Sequence, residues 1–430
     1  MRCCDFMRHP IVTFQQVRRV LPVMAAAAVI TGVQVIPCQS SWGAEIILMP
    51  NCDLREEFND NIMLSYGSKK SDFITTVAPT LGMSLNTERL TSSLTSGVDW
   101  FQYAKNETLS SSAQQVQGQA QYRVSPLTSL GAAGGYSHTN QPASINPVTG
   151  LAYSSGSQSF NLSGSGGVTL DQLSSVTLNY SYQDQTYDNP ALLGSIVHNA
   201  SSVYTVDLGS LAPLLKGMVT ASFSRAIYST TANNNYALTV GAARGITEKI
   251  SWSLNGGANY TYSTYKILSL PALVMVDQSV DNWGWIGSAG VTYTGEKGQG
   301  NISVNRNFSA GSGQIGATEN TSVSLAVSRT ETKRFSWQAS TSYVINKSSD
   351  NQFGATGTDA RVFQAFTSLL YRLSDYFDLG MQYSFYNESF RNYGTQVHQN
   401  RVLLTFSSHD RFRYHPGSNT LTEEVYHGTR

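Results

Sequence analysis

Charge is what this chain has least of. Only 13% of its 430 residues are Asp, Glu, Lys or Arg, and 28 basic residues balance 28 acidic ones; about 25% is usual for a soluble protein. Zero net charge gives no basic face for nucleic acid, so no nucleic-acid partner is expected. Aliphatic residues do not fill the gap: hydrophobic content is 40% and mean hydropathy is negative. Beyond the N-terminus no apolar run is long enough for a helical membrane span. Cysteine is also scarce. Of Cys3, Cys4, Cys38 and Cys52, the first three lie in the expected leader, so the mature chain has no partner for a disulfide or a cysteine metal site. His138, His198, His398, His409, His415 and His427 fall mostly in expected loops or the tail. They form neither a metal pair nor a Ser-His-Asp spacing. Ser163-Gly-Ser-Gly-Gly167 lacks the Lys of a phosphate loop and sits within a strand-like segment, where small residues permit curvature. No catalytic residue, metal site or cofactor is indicated, and an enzyme is not expected.

What fills the chain is Ser, Thr, Asn, Gln, Gly and Tyr, arranged in alternation. In Ile250–Tyr262, an extended backbone puts Trp252, Leu254, Gly256, Ala258, Tyr260 and Tyr262 on one face. Ser253, Asn255, Gly257, Asn259 and Thr261 fall on the other. About eighteen such segments recur between residues 46 and 408, the clearest being 176–182, 251–262, 282–293, 335–346 and 377–386. Alternate connections are short (86–89, 125–129, 170–174, 247–249, 296–299, 373–376), with 209–217 as a longer exception. The intervening ones are mostly longer and rich in Gly, Asn, Ser and Pro (138–158, 184–195, 266–281, 347–359, 387–399). Apolar-out, polar-in strands with this loop asymmetry describe an all-β, antiparallel, up-and-down transmembrane β-barrel with both termini periplasmic. Eighteen strands fit best, with sixteen or fourteen as alternatives.

The expected organisation is a signal peptide over 1–44, a barrel over 45–408 and a polar tail over 409–430. Arg18 and Arg19 precede an apolar stretch, Val20–Ile30, of export-signal length; cleavage after Ala44 starts the mature chain at Glu45. Pro37 disfavours a lipoprotein box at Cys38. The tail reads as a disordered or periplasmic appendage.

Phase assigns the two walls. Arg55, Glu57, Asp99, Gln115, Gln117, Gln119, Gln121, Arg123, Asn255, Asn259, Gln338 and Gln382 are expected to line the lumen. Such mixed charges, amides and hydroxyls suit hydrated neutral solutes, or simply solvate the wall. Trp100, Trp252, Tyr262, Trp283, Trp285, Trp337, Tyr371 and Phe385 are expected in aromatic girdles at the two interfaces. Arg225 and Arg306 fall in the lipid-facing phase, which implies either snorkelling to lipopolysaccharide phosphate or a bulge that shifts the phase.

At Leu54-Arg-Glu-Glu-Phe-Asn-Asp-Asn-Ile62 the chain resembles β-barrel porins of Gram-negative bacteria whose first strand carries an acidic–aromatic–Asn/Asp–Asp–Asn motif. Relatives of that kind are often associated with exopolysaccharide or exosortase systems. The resemblance implies an outer-membrane channel, and polysaccharide export components as partners. The expected function is passage of hydrophilic solutes or guided export of a polysaccharide. The alternative is a structural sleeve around a cytochrome or a secretion component. Outer-membrane lipids, lipopolysaccharide and the barrel assembly machinery are the other expected partners, Arg401-Val-Leu-Leu-Thr-Phe406 having the form of an assembly signal.

The chain should therefore fractionate with the outer membrane and run with heat-modifiable mobility on gels; recovery as a soluble periplasmic protein would sink the barrel.

Overall fold

The computed structural model describes residues 44–146, 149–228, 231–269, 274–310, 317–348, 359–391, 394–415 and 420–423. The expected signal peptide, apart from Ala44, lies outside them. The wall begins with β1 (Glu45–Asn59), β2 (Asp72–Asn86), β3 (Leu90–Tyr103), β4 (Ser111–Ser125) and β5 (Thr128–Thr139). A two-stranded hairpin, β6 (Ser144–Ile145) and β7 (Ala152–Tyr153), interrupts it. The wall resumes with β8 (Ser157–Thr169), β9 (Ser174–Tyr187), β10 (Ser195–Asp207), β11 (Leu215–Ile227), β12 (Thr231–Gly245) and β13 (Ile250–Ser269). It continues through β14 (Val274–Thr294), β15 (Gly298–Ala310), β16 (Ala317–Thr330), β17 (Phe335–Lys347), β18 (Asp359–Arg372), β19 (Phe377–Phe390) and β20 (Thr395–His409). Each wall strand pairs antiparallel with the next, and β20 returns to β1. The described residues thus form a closed eighteen-strand barrel.

Local chemistry explains the tight rim, the one from which β1 starts. Thr247 Oγ1 accepts from the Lys249 and Ile250 N–H groups at 3.2 and 3.0 Å, and Thr332 Oγ1 accepts from Arg334 and Phe335 at 3.3 and 3.0 Å. In the turn before β9, Asp171 Oδ1 accepts from Leu173 N at 2.7 Å. With the Ser174 hydroxyl donating to its Oδ2 at 2.9 Å, that bond holds the exposed Asp171 carboxyl below its ordinary range. Each turn thus supplies its own acceptor for backbone donors that pairing leaves free. Within the wall, Gly257 faces a close approach of β12: a Cβ there would run into the Leu238 carbonyl oxygen.

Two expected loops are largely strand. Over 266–281, β13 and β14 run on to Ser269 and from Val274, because β-branched and apolar residues on both arms keep pairing. Over 387–399, the connection shrinks to 391–394. Part of the expected tail is described. β21 (Phe412–His415) pairs with Ile46–Leu48 of β1, and β22 (Thr420–Glu423) pairs with β21.

The apolar phase points away from the lumen, leaving Leu54, Leu238 and Leu254 more than half exposed, as lipid solvation requires. On β17, Tyr343 is exposed and Asn346 is fully buried, so odd positions face out and even positions face in. Ala339→Arg should then destabilise assembly by about 2–4 kcal/mol, while Ser340→Arg should assemble and change conductance. Folding yield of the two variants checks this; the reverse pattern would invert the strand, since a one-residue slip exchanges the faces.

Candidate functional site

The seam between first and last strands is built from the Leu54–Ile62 motif. Glu57 takes a bidentate ion pair from Arg401 on β20, Nε and Nη2 lying 2.8 and 2.6 Å from its two oxygens. Asn59 donates to Glu57 at 3.1 Å and accepts from the Asn61 backbone at 2.9 Å. Asp60 accepts from both the backbone and the side-chain amide of Asn400, at 2.7 and 2.8 Å. Buried Asn61 donates to the His398 carbonyl at 3.1 Å, and Gln399 donates to the Asn61 carbonyl at 2.7 Å. Phe58 points outward and packs on Phe73, 5.1 Å between ring centroids. The acidic and amide positions of the motif thus tie β1 to β20 at the rim opposite the start of β1.

The seam continues into the inner wall. Arg55 is paired with Asp53 at 2.7 Å and with Asp99 at 3.5 Å. Gln115, Gln117, Gln119 and Gln121 share one face of β4; Gln115 lies beside Gly97, and Gln119 is opposite Ser93. Arg123 ends that row at a register shift between Arg123 and Ser125. Asn255 is tied to the wall, its Oδ1 accepting from Ser288 N at 3.0 Å. Asn259 is buried against Gly284, its amide without a partner among the described residues. Gln338 and Gln382 sit opposite Ser368 from either side.

The hairpin is what phase reasoning missed. It leaves the rim between β5 and β8 and folds inward, its tip reaching β17–β19 far around the ring. Gly150, at φ +71°, makes the turn that an L side chain rarely takes. Asn346 donates to the Thr149 carbonyl at 2.7 Å, and the Tyr386 hydroxyl to the Gly150 carbonyl at 2.9 Å. Ala152 N donates to Glu388 Oε2 at 3.4 Å. Leu151 joins Leu64, Ala360, Val362, Tyr386 and Val397 in an apolar cluster. One signal was available: Val362 and Val397 are apolar in the luminal phase, which only a covering segment explains. Tyr66, beside Phe390, has its phenol pushed up to about 12, first by burial and then by the nearby Glu388 carboxyl.

On the outer wall Trp100, Trp283 and Trp285 are more than half exposed, Tyr262 and Tyr371 somewhat less. Trp252, Trp337 and Phe385 are half-buried; Trp337 donates to Glu331 at 3.2 Å and Phe385 packs on Phe363. Arg306 lies on this wall with no register shift in either flanking pair. Its guanidinium stacks 4.4 Å from the Trp285 ring centroid and pairs with Glu319 at 2.5 Å. Arg225 is likewise in unbroken register, so the phase-shifting bulge is absent at both. Among the described residues no group of three His, Cys, Asp or Glu could hold a metal, and no helix is long and apolar enough to cross a membrane.

A family model described as "Putative beta-barrel porin 2" matches residues 45–262, just over half of the chain. No curated protein matches. Among solved structures, the chain is similar to the ferric citrate transporter FecA in its unliganded form (TM-score 0.47, 9% identity, covering 88% of this chain and 68% of that one). It is also similar to Pseudomonas aeruginosa OccK2 (TM-score 0.42, 9% identity, 85% and 98%). The Yersinia pestis ferric yersiniabactin receptor FyuA gives a TM-score of 0.41 at 13% identity, covering 86% and 70%.

Arg401→Ala leaves the Glu57 carboxylate without its cation. It should cost about 1.5–3 kcal/mol, the range for hydrogen bonds to charged groups, and lower the temperature at which the barrel loses its folded gel mobility. Adding Glu57→Gln should recover part of that loss. A double variant no better than the single would mean the pair does not couple.

Proposed function

This chain belongs to the "Putative beta-barrel porin 2" family, and from that premise we propose a passive outer-membrane channel for small, uncharged, hydrophilic solutes. The porin-like outer-membrane barrel is the frame; the choice of solute rests on the inner wall. The observation that carries it is charge compensation. Arg55 is answered by Asp53 and Asp99, Arg401 by Glu57, and Arg372 lies 3.7 Å from Asp378. Paired charges leave little field to select an ion, whereas the β4 amides, unpaired among the described residues, offer donors and acceptors to any hydroxylated solute. The hairpin narrows the lumen, and guided export of a polysaccharide would require it to withdraw. In this reading both termini are periplasmic and the hairpin rim is external. The outer-wall aromatics then sit at the two lipid interfaces, with lipopolysaccharide around the external one. The barrel assembly machinery takes the Arg401–Phe406 segment.

Refolded protein in a planar bilayer should conduct small cations and anions about equally. Deleting residues 141–155 should raise single-channel conductance several-fold. A non-conducting barrel, or strong ion selectivity, would overturn the proposal. A tag in the 373–376 turn should be shielded on intact cells and one at 348–358 accessible; the opposite result reverses the orientation.

A further inference from the structure

Below the hairpin root, six strands, β3, β4, β5, β8, β9 and β10, line a recess of about 500 Å³ in the inner wall. Two rows of directly opposed residues cross it. One runs Gln119, Ala133, Ser163, Ser181, Asn199; the other runs Gln121, Gly131, Ser165, Asn179, Ser201. Four strand spacings separate the ends of each row, about 19 Å, and the rows lie roughly 7 Å apart. Amides stand towards both ends, while the middle is glycine, alanine and serine. At Gly131 a Cβ would meet Ser165 Oγ at 2.5 Å, so a side chain there would have to displace that hydroxyl.

We propose that this recess is a docking site for a linear neutral oligosaccharide, an inference that rests on the channel reading above. No charged side chain lines it, so it offers nothing to an anion or a cation. Asn179 donates to Ser201 at 3.3 Å and Asn199 to Ser181 at 3.1 Å. Those bonds fix the amide planes and leave their carbonyl oxygens as oriented acceptors, which lowers the ordering cost of binding. The opposite wall holds Gln119 and Gln121, each with both donor and acceptor capacity. A chain of hydroxylated rings presents alternating donors and acceptors along its edges and needs room for its rings between them. The low floor provides that room. With hydrogen bonds only to exposed amides and hydroxyls, binding is weak and suits transit rather than retention.

The test is current block in planar bilayers on the refolded full barrel, with maltohexaose as probe and polyethylene glycol of matched size as an acceptor-only control. Block constants are referred to each variant's own open current. Maltohexaose should block saturably, and polyethylene glycol much less. Gln119→Leu with Gln121→Leu should weaken the block about tenfold, the loss expected for two hydrogen bonds. Ala133→Trp, which fills the floor, should remove it. An unblocked current, equal block by both polymers, or block indifferent to both variants overturns the site. If the folded wild type conducts nothing, the channel reading fails instead. Saturation-transfer NMR then decides the recess separately: a maltohexaose signal lost in both variants supports it, and a signal retained in both overturns it.

Discussion

A sheet inside a bilayer cannot keep an open edge, because every unpaired N–H and C=O there lacks water to bond. Closure of β20 on β1 is therefore the contact on which the rest depends; without it there is neither an inner nor an outer wall. The seam meets this demand in two parts. β20 pairs with Asn51–Asn59 only, and β21 takes over along Ile46–Leu48. Pro50 stands at the change-over. It has no N–H to offer, and its carbonyl accepts from Asp410 N at 3.1 Å, so the break falls where a proline costs the ladder least. At the other end the charge-assisted pair Glu57–Arg401 and the Asp60–Asn400 bonds lock the register. A short acidic-and-amide motif thus does its work in pairing strands that are far apart in sequence.

Closure also sets what the lumen can contain. Arg55 is paired with Asp53 and Asp99, Arg401 with Glu57 and Arg372 with Asp378, so much of the wall is polar without being strongly ionic. The exception is the apolar patch under the hairpin. Leu64 contributes to that patch from a left-handed backbone, φ +49°, a conformation that costs an L residue about 1–2 kcal/mol. Its burial against Val362, Val397 and Leu151 offsets that strain. An inward-folded hairpin is stable here because the barrel gives it a hydrophobic surface that no lipid can reach.

The barrel was legible because its two solvents write a period of two onto every strand, and turn residues such as Thr247 and Thr332 punctuate it. Those signals favour eighteen strands paired in sequence order over sixteen or fourteen, and the structure closes at eighteen. Loop lengths were less legible: Gly, Ser and Pro in 266–281 and 387–399 resemble a break, while the pairing partner across the hairpin keeps each arm extended. The hairpin's inward path was not legible at all. It depends on Asn346, Tyr386 and Glu388 contributed by strands some two hundred residues away, and each looks like an ordinary luminal polar group until the tip arrives. The recess was half legible: the β4 glutamines stand out, but the low floor opposite them depends on the register of β5 against β8.

The outer wall shows how an exception to the pattern is tolerated. A lone arginine facing hydrocarbon costs about 2–4 kcal/mol at mid-depth and much less near an interface. Arg306 is placed at the far rim, and it spends its charge within the protein. Trp285 offers a ring face, the Trp285 carbonyl accepts from Nε at 3.3 Å, and Glu319 supplies the counter-charge from the adjacent strand. Glu319 is in turn directly opposite Lys347, which is opposite Asp359. A belt of alternating charge across β15 to β18 therefore replaces the apolar face where the strands leave it. The Glu57–Arg401 pair on the inner wall follows the same logic: the strand order that closes the sheet is what brings each of these charges within reach of its counter-charge.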